Sequence, residues 1–213
     1  MKPLVEICCD GVDAARKAVW RGARRIELCS DLPCGGITPT FTDIFSTLNL
    51  GVPVNVLIRP RSGDFVYSSG EVEKMSREIA CCGQVGHNGV VLGALTPEGR
   101  VDIPVCRDLI ALARSYGLEI TFHRAVDEAL AAGVPVKEIM DEILSLRVDR
   151  ILTSGGAANA FEGRGVIAEM VRIAAGRCIV MPGCGVTAEN AGAIIDCTGA
   201  SEIHGSRLSL LDL

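Results

Sequence analysis

Short β-branched runs recur eight times along this chain of 213 residues, and longer stretches of helical period separate them. Residues 4–8, 25–30, 52–59, 89–95, 118–124, 150–154, 178–182 and 201–205 read as strands. Residues 12–21, 72–85, 105–116, 165–175 and 188–195 read as helices, and Val136, Ile139, Met140, Ile143 and Leu144 recur at the spacing of one helix face. The central strands are almost continuously apolar, as expected when both faces of a sheet are covered, and helical connections favour parallel neighbours. The pattern predicts an α/β fold, a (β/α)8 TIM-type barrel, in one domain over residues 1–213. An open doubly wound sheet is the alternative. Only residues 207–213 follow the last strand, too few for a helix of three turns, so the eighth helix is expected to be missing or truncated. Leu208, Leu210, Leu211 and Leu213 would then need cover, which suggests a homo-oligomer.

Composition removes several classes of function. The net charge is -5 with both signs mixed along the chain, so no basic stripe could neutralise a phosphate backbone and nucleic acid is discounted. No run approaches the roughly 18 apolar residues of a membrane span, and Glu6 interrupts the start of the chain, so a soluble, unprocessed protein is expected. Ten cysteines without a Cys-x-x-Cys speak against a zinc ribbon or a thioredoxin motif. They point instead to reduced thiols in the cytoplasm, most of them buried as small hydrophobes.

Positions two apart in a strand share a face. That arithmetic groups Glu6 with Cys8, Glu27 with Cys29, Asn55 with Arg59 and Arg61, Thr121 with His123, and Glu202 with His204 and Ser206. The opposite parity carries Val5, Ile7, Ile26, Leu28, Val54, Val56, Ile58 and Ile203, which suits a face packed on helices. The polar set is therefore expected inside the barrel near the C-terminal strand ends, where such barrels place their active sites. Glu6, Glu27, His123, Glu202 and His204 are the candidate acid–base residues. A buried ion-pair layer that merely fills the barrel is the competing interpretation, although such layers are weak sources of stability. His87 is expected in an exposed loop at the other end.

An anion seat is expected among Arg59, Arg61, Ser154, Gly155, Gly183 and Gly185. Arginine forks match carboxylate and phosphate, and Gly-rich turns after the sixth and seventh strands expose amide N–H groups where these barrels commonly bind phosphate. Two ordinary tight turns would look the same. Thr187 is placed to cap the following helix.

Several motifs together resemble the CutC copper-homeostasis family. They are Val5-Glu6-Ile7-Cys8, Arg25-Ile26-Glu27-Leu28-Cys29, Gly35-Gly36-Ile37-Thr38-Pro39 and Ile58-Arg59-Pro60-Arg61-Ser62-Gly63-Asp64-Phe65. Thr121-Phe122-His123-Arg124-Ala125, Ile151-Leu152-Thr153-Ser154-Gly155-Gly156 and Glu202-Ile203-His204-Gly205-Ser206 follow in order. The resemblance implies an α/β barrel in a cytoplasmic, often oligomeric protein that handles copper. Cu(I) prefers sulfur ligands, and the cysteines within these motifs on neighbouring strands are Cys8 and Cys29. Val126 departs from the phenylalanine usual before the aspartate, here Asp127, and the family's C-terminal segment is absent. Two functions are carried forward: Cu(I) handling through Cys8 and Cys29, or an isomerase- or lyase-type enzyme acting on a small anionic or phosphorylated metabolite. An oligomeric scaffold with a vestigial site is a third.

Overall fold

The computed structural model describes residues 3–206. Its eight strands are β1 (Leu4–Asp10), β2 (Arg25–Cys29), β3 (Val54–Leu57), β4 (Gly89–Leu92), β5 (Glu119–Phe122), β6 (Arg150–Thr153), β7 (Ile179–Pro182) and β8 (Glu202–Gly205). The helices are α1 (Gly11–Trp20), α2 (Phe41–Ser46), α3 (Ser69–Val85), α4 (Ile103–Ser115), α5 (Ala125–Ala131), α6 (Val136–Ser145), α7 (Arg164–Ala174) and α8 (Ala188–Thr198). Seven parallel ladders run in the order β7-β6-β5-β4-β3-β2-β1-β8. The ring is all but closed: a Cβ added to Gly183, just after β7, would lie 3.4 Å from His204 Cβ on β8. The fold is the expected (β/α)8 barrel.

Strand parity separates two apolar regions. Val5, Ile7, Ile26, Leu28, Val54, Val56, Ile58 and Ile203 belong to the main core and pack with the inner faces of the helices. The stripe of α6 does the same through Ile139, Met140 and Ile143, all fully buried. Each such side chain contributes about 1.5–3 kcal/mol by leaving water. Inside the barrel a smaller cluster of Cys8, Cys29, Leu57 and Val91 forms a separate apolar floor.

Caps fix where helices begin. Ser68 and Glu71 form a reciprocal capping box at α3. Thr187 caps α8 as expected, with Asn190 Oδ1 accepting from its N–H at 2.8 Å.

The structure corrects some local expectations. Helices α2 and α5 have six and seven residues, too short for a periodic signal to register. Strand β3 spans only four residues, because the chain leaves the sheet before Arg59. His87 is buried, with Nε2 2.8 Å from the Ile44 carbonyl, so it ties the loop before β4 to the end of α2. The stretch proposed to lack the eighth helix, including Leu208, Leu210, Leu211 and Leu213, lies outside the described residues.

Candidate functional site

The barrel interior divides into a charged base and a cavity at the C-terminal strand ends. In the base, Arg25 Nε donates to Glu6 Oε2 at 2.6 Å and Arg25 Nη2 pairs with Glu202 Oε2. Arg150 Nε reaches the same Glu202 oxygen at 2.9 Å, and its Nη1 pairs with Glu119 at 2.7 Å. Asn55 Nδ2 donates to Glu6 at 2.9 Å. Glu6 and Glu202 are thus consumed in a buried network, and neither lines the cavity.

His204 links the two levels. Its Nδ1 stands 3.0 Å from Glu6 Oε1, while its ring lines the cavity above. Burial alone would raise the Glu6 carboxyl, but His204 and Arg25 outweigh it and hold the group at about 2. Burial also opposes a charged His204, yet the carboxylates of Glu27 and Glu6 raise it above the ordinary imidazole range. The two shifts run in the directions that favour a glutamate–imidazolium pair.

The cavity has a volume of about 600 Å³, within the range of small-molecule sites. Cys8, Cys29 and Leu57 lie at its floor, Glu27, Arg59, His123 and His204 line its walls, and Gly185 and Thr187 stand at its rim. Cys8 Sγ donates to Glu27 Oε1 at 3.5 Å and touches Cys29 Sγ at 3.6 Å. The hydrogen bond with Cys29, burial and the Glu27 carboxylate push the Cys8 thiol well above its usual range. Glu27 is raised as well, chiefly by burial and further by Glu6, against the opposing pull of His204.

Three residues that line the cavity each carry a buried side-chain atom with no hydrogen-bond partner among the described residues: Glu27 Oε2, Arg59 Nε and His123 Nε2. Buried polar groups are nearly always paired in folded proteins, so such a concentration needs a reason. Arg59 adds a second anomaly. Its Nη1 and Nη2 donate to the carbonyls of Gly36 at 3.0 Å and Gly63 at 2.6 Å, and its guanidinium lies 4.7 Å from the Phe65 ring centroid. No carboxylate pairs with it among the described residues, although it is only 7 % exposed. A buried cation without a counter-ion is costly and favours an anionic ligand.

The remaining expected residues lie elsewhere. Arg61 pairs with Glu71 at 2.6 Å and Asp64 at 2.9 Å, away from the cavity walls. The turn holding Ser154 and Gly155 does expose N–H donors, but the protein's own Asp127 fills it. Its Oδ1 accepts from Thr153 Oγ1 at 2.6 Å, Ser154 N at 3.0 Å and Gly156 N at 3.1 Å, while Arg124 Nε pairs with Oδ2 at 2.8 Å. Gly183 is a close-approach glycine, since a Cβ there would sit 2.4 Å from Leu152 Cδ1. Gly185 holds φ +69 at the cavity rim.

Sequence reasoning overlooked Arg25, Glu119, Arg150 and Asp127. The first two share parity with Glu27 and Thr121, so the same arithmetic could have found them, and Arg150 shares parity with Leu152 of the cavity wall. Strand parity gave no signal for Asp127, which only the family motif marks, because it lies on α5 and its partners are about 26–29 residues away across α6 and β6.

A near-closed parallel barrel with a polar cavity at the C-terminal strand ends belongs to the TIM-barrel class. A profile described as the CutC family matches residues 3–209, and the chain belongs to that family. A CutC family protein from Aliivibrio fischeri is 41 % identical over 201 residues, covering 94 % of this chain and 80 % of the relative. Another from Xylella fastidiosa is 44 % identical over 208 residues, covering 97 % and 76 %. A solved CutC structure from Streptococcus agalactiae, described as a candidate copper homeostasis protein, superposes with a TM-score of 0.88 at 31 % identity, covering 96 % of this chain and 99 % of that one. Deoxyribose phosphate aldolase from Aeropyrum pernix shares the fold, with a TM-score of 0.71 at 14 % identity, covering 95 % and 85 %. No helix among the described residues is long and apolar enough to cross a membrane.

Proposed function

We propose that the cavity binds a small anionic metabolite and carries out acid–base chemistry on it. One observation carries this reading: Glu27, Arg59 and His123 all line one cavity, and each has a buried side-chain atom, Oε2, Nε and Nε2 respectively, without a partner among the described residues. Arg59 supplies the counter-charge for a carboxylate or phosphate. Glu27 moves a proton, since burial raises it toward the pH range in which such transfer is efficient. His204, oriented by Glu6, stabilises negative charge beside Glu27. The base network of Arg25, Arg150, Glu6 and Glu202 holds these groups in place rather than reacting. A thermal-shift panel of phosphorylated sugars and small carboxylates tests the reading. Stabilisation by members of either class, weakened in Arg59→Gln, is expected, and a panel without any shift counts against it.

A second reading, Cu(I) binding, is favoured by the contact of Cys8 and Cys29 at 3.6 Å. Two adjacent thiols are soft donors that suit Cu(I). Atoms of Cys8, Glu27 and His204 also lie within 4.8 Å of one another. Glu6 engages His204 Nδ1, which leaves Nε2 as the ring nitrogen for an ion, and such support is common in metal-ligating histidines. The residues therefore fit a thiophilic ion, which Cys8 and Cys29 would hold as thiolates in a reducing cytoplasm. Cu(I) competition against a chelator tests this, and undiminished binding in the Cys8→Ser, Cys29→Ser double variant sinks it. Self-association remains part of the proposal, supported by the exposed Trp20, Phe41 and Phe45, and sedimentation velocity checks it.

A further inference from the structure

We infer that His123 is a fixed neutral N–H donor that polarises a carbonyl group, so that the ligand is a small anionic carbonyl compound with an exchangeable C–H beside the carbonyl. The inference rests on the reading of the cavity as an anion-binding acid–base site, and it narrows both substrate class and reaction.

The argument begins with a backbone amide. Ala125 N, at the start of α5, donates to His123 Nδ1 at 3.3 Å. An amide N–H can only donate, so Nδ1 presents its lone pair and the proton of the neutral ring is on Nε2. That Nε2 is the atom left without a protein partner, on a ring 3 % exposed that lines the cavity. Phe65 and Phe122 hold the ring, with centroids 4.7 Å and 6.1 Å away. Gly93 leaves it room, since a Cβ there would sit 2.8 Å from Nδ1. The ring cannot turn over without losing the Ala125 bond.

Its surroundings also keep it uncharged. No carboxylate pairs with it among the described residues, whereas Arg59 and Arg124 both press against a positive charge. Burial, followed by Arg59, lowers the group to about 3. His123 therefore neither accepts nor releases a proton near neutral pH. His123 and His204 thus have opposite duties in one cavity: the first is a neutral donor, the second a ring paired with Glu6 and biased toward its charged form.

A neutral imidazole N–H combined with a carboxylate is the pairing that barrel isomerases use to form an enediolate. Here the Glu27 carboxylate takes the proton from the carbon beside the carbonyl. The C–H pair becomes the new C=C π bond, and the carbonyl π pair moves onto oxygen, where His123 Nε2–H donates to it. Return of the proton from Glu27 to the same carbon exchanges or inverts it. Where that carbon carries a hydroxyl, return to the former carbonyl carbon, with the hydroxyl proton passing to the enolate oxygen, moves the carbonyl by one carbon. Neither outcome needs an oxidant or cofactor. Arg59 holds the substrate's anionic group.

Two measurements test this. Nitrogen NMR of histidine-labelled protein should show His123 as the neutral Nε2–H tautomer throughout pH 5–8, with the Nε2 signal moving on addition of oxalate. Oxalate is a planar mimic of an enediolate. Calorimetry should find it at least about tenfold tighter than malonate, a preference lost in His123→Leu and partly kept in His123→Gln, which retains an N–H donor. A His123 that titrates between pH 5 and 8, or no oxalate preference in a wild-type protein that binds inorganic phosphate, overturns the inference alone. Wild-type protein that binds neither oxalate nor phosphate overturns the anion-site reading and this inference with it.

Discussion

His204 Nδ1 and Glu6 Oε1 stand 3.0 Å apart between β8 and β1, with both side chains nearly closed to water. The two residues are direct register partners where the last strand meets the first. Their ionisation should give stability a characteristic pH dependence. Glu6 is depressed to about 2, so its contribution is present above the ordinary carboxylate range and is lost as pH falls through about 2. His204 is raised, so its contribution is complete below the ordinary imidazole range and is lost as pH rises through its folded value. Urea unfolding should therefore show wild type losing stability from neutral pH toward alkaline pH, with that slope reduced in His204→Gln.

Breaking the base network should cost far more. Glu6→Gln leaves Arg25 and His204 without their shared carboxylate, and loss of one partner of a buried pair costs about 3–5 kcal/mol. Denaturant midpoints at pH 7 check this, and a change below 1 kcal/mol would mean that Arg25 finds full compensation in Glu202.

Asp127 holds the β6 turn from α5. Asp127→Ala leaves Thr153 Oγ1 and the amides of Ser154 and Gly156 without an acceptor, so a loss of about 3 kcal/mol or more is expected in urea unfolding. Gly163→Ala should damage the same turn by another route. The new Cβ would fall 1.8 Å from the Ser154 carbonyl oxygen, a backbone atom that cannot yield cheaply, and a markedly lower Tm should follow.

Copper binding, if the second reading holds, should carry a proton signature. The Cys8 thiol is raised well above its usual range, so Cu(I) must displace a proton to bind it as thiolate. Affinity should weaken as pH falls, by up to about tenfold per unit for each proton released. Chelator competition at pH 6, 7 and 8 measures that slope, and a flat profile would exclude Cys8 as a ligand.

The alternation of strands and helices made the barrel legible in the sequence, and side-chain parity assigned Glu6, Glu27, Asn55, His123 and His204 to its interior. Parity could not say how deep each residue lies. Glu6 and Glu202 therefore looked like reacting groups, although Arg25 and Arg150 bind them in the base. The rule also ends with the strand. Arg59 and Arg61 are two apart, but β3 stops at Leu57, so Arg59 turns inward while Arg61 swings to Asp64 and Glu71. The Gly-rich turn after β6 has the donors that its sequence promised. Only tertiary structure reveals that Asp127 already occupies them.

Calorimetric titration of inorganic phosphate into wild-type protein and Arg59→Gln, at low ionic strength and pH 7, tests the central claim most directly. The account predicts saturable binding to wild type that falls at least about tenfold when the buried guanidinium is removed. Binding of equal strength in Arg59→Gln would contradict it.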